Sequence, residues 1–411
     1  MEGLVDCLVG LQWGSEGKGK FSAYLAREYN GIVRSGGPQA GHTFYVGDEK
    51  CINRQVPCGV RDINRKLYIS AGGVINLDVL KGEIESRGLT PEYLMIDNNA
   101  VVVTTKHIGM EQDSFLKKRL ASTLEGVGAA QSEKVWRRAK LFGNNNERNS
   151  RDCFVYDMPE LYFFAGDVSK SINQQMNVGA PILLEGTQGF GLCLNHGGYP
   201  FVTSRDVNSA SLLSDAGISP KYYGQTIGVM RTYPIRVGGN SGPTGSKEIS
   251  WKKITKRAGS KKPLEEITTV TGRVRRIFEQ DFSELNKAIE INQPEQIALS
   301  FLDYINMEDY GKNCFEDLSE KSKNYLSKIE RFLGVPITLI GTGPKNEHLI
   351  DLRTETQKRI PLENIALYLN GFPDNFMGCR WDSGELERFI ERKMTACAIH
   401  RHMSYDRKLV R

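Results

Sequence analysis

The stretch from Gly10 to Lys20, Gly-Leu-Gln-Trp-Gly-Ser-Glu-Gly-Lys-Gly-Lys, constrains the fold of this chain more than any other. It follows the apolar run Leu4 to Val9, which predicts a buried strand, and precedes Phe21 to Tyr29, which predicts a helix stopped at Asn30-Gly31. Strand, glycine-rich turn and helix together aim backbone N–H groups and the positive end of a helix at one point. Lys18 and Lys20 fall inside the turn, with Ser15 and Glu16 beside them, so the anion expected there is a phosphate. The spacing departs from a Walker A loop, because Gln12 stands where that motif has its first glycine.

The rest of the chain alternates strands and helices around this loop. Ile32 to Arg34, Leu67 to Ser70, Tyr93 to Asp97, Pro181 to Glu185 and a last strand after Pro336 read as buried strands, and Leu77 to Glu85 and Phe282 to Asn292 as helices. That pattern predicts an α/β fold with a large, mostly parallel central sheet and helices on both faces. Residues 143 to about 175 are polar and read as irregular.

A second glycine-rich loop, Ser35 to Thr43, holds Gln39, Gly41 and His42, and its position between two such loops favours a catalytic histidine. A flexible Thr/Gly stretch, Thr268 to Arg276, carries Arg273, Arg275 and Arg276, whose guanidinium forks suit a small dicarboxylate. With 411 residues and a net charge of only +5, the basic residues spread out, neither nucleic-acid nor membrane binding is indicated. Eight cysteines without a Cys-x-x-Cys pair fit a reducing cytoplasm, and the early first strand leaves no room for a signal peptide.

These motifs resemble those of adenylosuccinate synthetases, P-loop NTPase-related enzymes in which Gln-Trp-Gly is followed by Asp, Glu, Gly, Lys, Gly, Lys. The resemblance implies a C–N ligase with Mg²⁺ that activates a purine nucleotide at O6 with a nucleoside triphosphate and then adds L-aspartate. It places Ser15, Lys18 and His42 at the catalytic centre, and Ser15 with the Gly41 carbonyl on the metal. The monophosphate falls to Ser15, Gln39, Thr123, Gln188, Thr203 and Val237, and to Arg137 reaching across a homodimer. The phosphate donor falls to Gly17, Lys18, Gly19, Lys20, His42, Thr43, Phe301, Asp303, Gly341, Gly343 and Pro344, and aspartate to Val270, Thr271, Arg273 and Arg275.

Two departures from the family pattern carry information. Ser15 replaces the Asp that acts as base at purine N1; the exchange opens volume and removes a carboxylate, as a 2-amino group would need. A bacteriophage branch of the family carries the same exchange and uses dGMP to make the precursor of diaminopurine DNA. Phe301 replaces a lysine that stacks on guanine, which opens the donor site to ATP or dATP. The expectation is therefore a dGMP–aspartate ligase, cytoplasmic or in a host's cytoplasm, with an ordinary IMP-using synthetase and an inactive nucleotide-binding relative as the alternatives. The resemblance covers residues 1–354; residues 355–411 read as a helical, packed extension, with Leu386, Phe389, Ile390, Met394 and Cys397 at helical spacing.

Overall fold

The computed structural model describes residues 4–59, 65–137, 154–268 and 272–362. Its centre is a ten-stranded sheet formed, in chain order, by β1 (Val5–Gly10), β2 (Gly31–Arg34), β3 (Lys66–Ile69), β4 (Leu94–Asp97), β5 (Ala165–Gly166), β6 (Ile182–Glu185), β7 (Tyr223–Arg231), β8 (Gln296–Ser300), β9 (Ile337–Gly341) and β10 (Leu349–Asp351). Across the sheet the order is β10-β9-β8-β7-β1-β6-β2-β3-β4-β5. Neighbours run parallel except the antiparallel pair β9 and β10.

Alternation along the strands supplies apolar side chains to both faces. Cys7 and Val9 join one core with Ile182 and Leu184, while Leu8 and Leu183 join the other with Ile32 and Ile69. Helices cover each face with residues at helical spacing: Val168, Ile172 and Met176 from Val168–Asn177, and Leu326, Ile329 and Leu333 from Glu320–Leu333, pack on the first. Phe21 and Leu25 from Lys18–Leu25, and Leu80 from Leu77–Arg87, pack on the second. The mostly parallel sheet with helices on both faces is the architecture expected from the sequence.

Two local expectations need correction, and one strand was missed. The first helix begins at Lys18, so Lys18 and Lys20 stand in its first turn, not in the loop before it, and its last residues, Ala26–Glu28, tighten into a 3₁₀ turn. Residues Val168–Asn177 form a helix within the stretch read as irregular, started by Asp167, whose side chain accepts from the Lys170 N–H at 2.8 Å. The strand β7, which lies against β1, is not legible in the sequence because Gly224, Gln225 and Gly228 interrupt its apolar run. Gln225 is accommodated by donating to buried Asp6 at 2.7 Å, and Gly228 because a Cβ there would stand 2.7 Å from Leu11 Cδ1.

Residues just past 354 stay attached to the sheet's amino-terminal side. Arg359 Nε donates to Asp6 at 2.8 Å, and the Leu362 N–H donates to the Asn30 side chain at 3.1 Å. The helix expected from Leu386 to Cys397 lies outside the described residues.

Candidate active site

In an open parallel sheet, loops at the carboxyl ends of the strands enclose the ligand crevice. Here Gly10, Arg34, Glu185, Arg231, Ser300 and Gly341 end β1, β2, β6, β7, β8 and β9. Above these ends lies a cleft of about 1030 Å³ lined by both glycine-rich loops and by the segments around Gln188, Phe301 and Gly343.

The first loop is built on left-handed turns at Gly14 and Gly17, both at φ 90°, and at Ser15, φ 57°. Gly17 begins the helix without a side-chain cap, so its first N–H groups remain for a ligand. Gly19 lets the His42–Val46 strand approach, since a Cβ there would stand 2.8 Å from the Thr43 carbonyl. Ser15 is exposed on the cleft wall, whereas Glu16 is fully buried. The Glu16 carboxylate accepts from the N–H groups of Gln12 at 3.2 Å and Gly14 at 2.8 Å, and from the Lys18 ammonium at 2.5 Å. Lys18 also donates to the Gln188 carbonyl.

His42 opens a second network that the sequence motifs only half reveal. Its Nδ1 lies 2.6 Å from Glu185 Oε1, and Glu185 also accepts from Arg34 at 2.6 Å, Ser22 at 2.6 Å and the Cys58 N–H at 2.7 Å. Burial pushes the Glu185 carboxyl up, but His42, Arg34 and Ser22 outweigh it and hold it far below the usual range. Burial, aided by the positive charge of Arg34, pulls His42 down to about 4. The imidazole is therefore neutral at neutral pH, with Nδ1–H donated to the carboxylate and Nε2 as its other nitrogen. The signal for Glu185 and Arg34 was present in the sequence as a charged residue closing an apolar strand.

At the other end of the cleft, Asp303 is buried and its Oδ1 has no hydrogen-bond partner. Burial raises its carboxyl to about 7 against the opposing charge of Lys20, and burial lowers Lys20 to about 7. Lys20 donates to the carbonyls of Gly343 at 2.7 Å and His348 at 2.5 Å, drawing the loop after β9 down beside the helix. Arg275 lines the cleft with its Nη1 2.6 Å from Glu266, which is also paired with Arg231.

Most of the residues singled out from sequence meet in this one cleft: Ser15, Gly17, Lys18, Gly19 and Lys20; Gln39, Gly41, His42 and Thr43; Thr123, Gln188, Val237 and Arg275; and Phe301, Asp303, Gly343 and Pro344. Gly341 sits just below, where a Cβ would be 3.4 Å from Lys20 Nζ. Thr203, which donates its N–H to the Leu192 carbonyl at 2.8 Å, is outside the lining. So is Arg273, whose Nη1 donates to the Gly238 carbonyl at 3.3 Å. Arg137 is an exposed residue at the carboxyl end of Val127–Trp136, away from the cleft of its own chain. Val270 and Thr271 lie outside the described residues.

Among the described residues the acidic side chains of the cleft wall are Glu16, Asp303 and Glu308. Glu16 is committed to Lys18 and two amides, so Ser15 and Gly41 offer a metal only neutral oxygens, a donor set that fits magnesium carried on nucleotide phosphates. The buried group His42, Cys58 and Glu185 has metal-like spacing, but Glu185 is already engaged by four donors, one of them Arg34.

A parallel sheet whose carboxyl ends surround a glycine loop, a helix start, lysines and a carboxylate-backed histidine defines a nucleotide-dependent phosphoryl-transfer site of the α/β class. The adenylosuccinate synthetase family model matches residues 7–149 and 154–310, and the chain belongs to that family of C–N ligases. It is similar to the adenylosuccinate synthetase of Methanococcus vannielii, 37% identical over 354 residues, covering 85% of this chain and 98% of that protein. The Methanocaldococcus jannaschii enzyme is 37% identical over 360 residues, covering 86% and 98%. Among solved structures, fully ligated adenylosuccinate synthetase from Plasmodium falciparum superposes with a TM-score of 0.75 at 25% identity, over 85% of this chain and 100% of that one. The cyanophage S-2L succinoaminodeoxyadenylate synthetase (PurZ), bound to dGMP and dATP as an energy donor, superposes with a TM-score of 0.69 at 27% identity, over 90% and 99%.

Proposed function

We propose that this protein joins dGMP to L-aspartate with hydrolysis of ATP or dATP, giving 2-amino-2'-deoxy-N6-succinyladenylate for diaminopurine DNA. The observation that carries this reading is Ser15: exposed on the cleft wall in a left-handed turn, it leaves room beside it and puts no carboxylate there, while neighbouring Glu16 is locked away. A small hydroxyl at the C2 edge of a purine accommodates an exocyclic amine; an aspartate would crowd it. The cyanophage structural neighbour, described as bound to dGMP and dATP, supports the same reading.

The chemistry follows from the residues of the cleft. The loop amides, the helix start and Lys18 hold the donor phosphates, with Lys18 passing from Glu16 to the incoming anion. His42, its Nδ1–H held by Glu185, takes up a proton at Nε2 as phosphate charge enters the cleft and donates it in a hydrogen bond to purine O6 as that oxygen attacks phosphorus, and the low dielectric of the site strengthens the pairing. Ser15 and the Gly41 carbonyl would hold magnesium together with the nucleotide phosphates, and the ion would supply charge neutralisation there. With Lys18 moved to the phosphates, Glu16 keeps only the two loop amides, and the N1 proton leaves to a cleft water, to Glu16 or to the aspartate substrate. Arg275 exchanges Glu266 for a carboxylate of L-aspartate, whose amine then displaces the phosphate at C6.

A second reading has a specific observation behind it: the archaeal relatives at 37% identity are named adenylosuccinate synthetases, and the phage neighbour stands at 27%. Phosphate release with Mg²⁺, L-aspartate and ATP, measured with dGMP and separately with IMP, tests the proposal. A higher kcat/KM for dGMP supports it, a higher value for IMP replaces it with the ordinary activity, and binding without phosphate release with either would mark an inactive relative.

A further inference from the structure

Several ties meet at Arg231, which closes β7 and whose side chain is fully buried. Gln12 of the glycine loop fixes its backbone in both directions, accepting from the Arg231 N–H at 2.9 Å and donating to its carbonyl at 3.0 Å. Nη1 donates to the Ser15 carbonyl at 3.1 Å. Both terminal nitrogens reach Glu266, the carboxylate that also holds Arg275 at 2.6 Å. The guanidinium carbon lies 3.9 Å from the centroid of the Phe301 ring, and Nε has no hydrogen-bond partner, so the π face of that ring completes its surroundings. Ser15, Arg275 and Phe301 all line the cleft; Arg231 does not.

We propose that Arg231 is a positioning residue that couples the Ser15 end of the cleft to the Phe301 end, so that a nucleotide bound at one changes the affinity for a nucleotide at the other. The guanidinium is a rigid plane with fixed donor directions, so a shift of the Ser15 carbonyl or of the Phe301 ring must move the same group. Ser15 sits in a left-handed conformation that L-residues avoid, and the Arg231 contact is among those that hold it there. Glu266 extends the link to Arg275, making the dicarboxylate end a third party to the same junction. The inference rests on the family's use of two nucleotides and not on which monophosphate is used.

The test is calorimetric titration of a non-hydrolysable ATP analogue into the full-length enzyme, alone and saturated with dGMP, and again with IMP, in the wild type, Arg231→Lys and Phe301→Leu. The wild type is expected to show at least about a fivefold change in analogue affinity on monophosphate binding, and both variants a factor near one. Arg231→Lys keeps the charge that balances Glu266 but loses the flat fork; if it does not fold, the titration of Phe301→Leu, which leaves Arg231 paired, decides the matter. Absence of coupling in the wild type, or its persistence in either folded variant, overturns the proposal. A change in analogue affinity with IMP present but none with dGMP present would refute the dGMP reading while the coupling is still read with IMP.

Discussion

His42 stands between a carboxylate that never lets go of its proton partner and a cleft that receives anions. Burial holds it neutral at neutral pH in the empty site, so its proton sits on Nδ1 against Glu185. His42→Asn should therefore keep the fold and lower kcat by about 10²–10⁴, the range for a lost positioned acid–base group. Glu185→Gln should behave differently, because Arg34 would be left buried without its counter-charge; a loss of about 3–5 kcal/mol of stability in denaturant unfolding is expected. Wild-type stability in Glu185→Gln would show that the pair is not the anchor described. Asp303 carries a pH prediction. With its carboxyl raised to about 7, it is protonated below that pH and can donate to adenine N1 while accepting from N6; above it, it only accepts, which suits guanine. The ratio of kcat/KM for ATP over GTP should fall as pH rises through about 7, by up to about tenfold per unit, and should be flat in Asp303→Asn. A pH-independent ratio in the wild type would remove Asp303 from donor selection.

The loop after β9 shows how one element is held by another. Lys20, in the first turn of the first helix, donates to two carbonyls of that loop, and Asn346 ties the same loop to the Tyr45 carbonyl at 2.8 Å. Lys20→Met should raise amide hydrogen exchange across residues 343–348 and increase KM for the donor several-fold; unchanged exchange would mean the loop is held without it. At this scale the sequence was informative where local signals agree. β1, the glycine loop and the helix Phe282–Asn292 were legible because apolar period, turn glycines and caps coincide. β7 was not, since Gln225 and Gly228 are explained only by Asp6 and Leu11, far away in sequence. In the same way, Ser15 was legible as a site residue, but that Glu16 is spent on Lys18 and two amides follows from the turn's geometry alone. The junction at Arg231 joins residues from four segments, and no spacing in the chain announces it.

For the whole molecule, Arg137 is the informative residue, because it ends a helix away from its own cleft beside Val135 and Trp136, which are 76% and 63% exposed. A second copy covering this face would bury the apolar side chains and carry Arg137 toward a partner's monophosphate, the arrangement that the family resemblance implies. Val135→Glu should then shift sedimentation toward the monomer and reduce activity in parallel, whereas a monomeric enzyme would be indifferent to a charge at so exposed a position. The proposed function turns on which purine this cleft activates. The most direct measurement is a competition in one tube: equimolar dGMP and IMP with Mg²⁺, L-aspartate and ATP, the succinylated products resolved by mass spectrometry. The product of dGMP is expected to dominate, with the balance moving toward the IMP product in Ser15→Asp; dominance of the IMP product in the wild type would contradict the assignment.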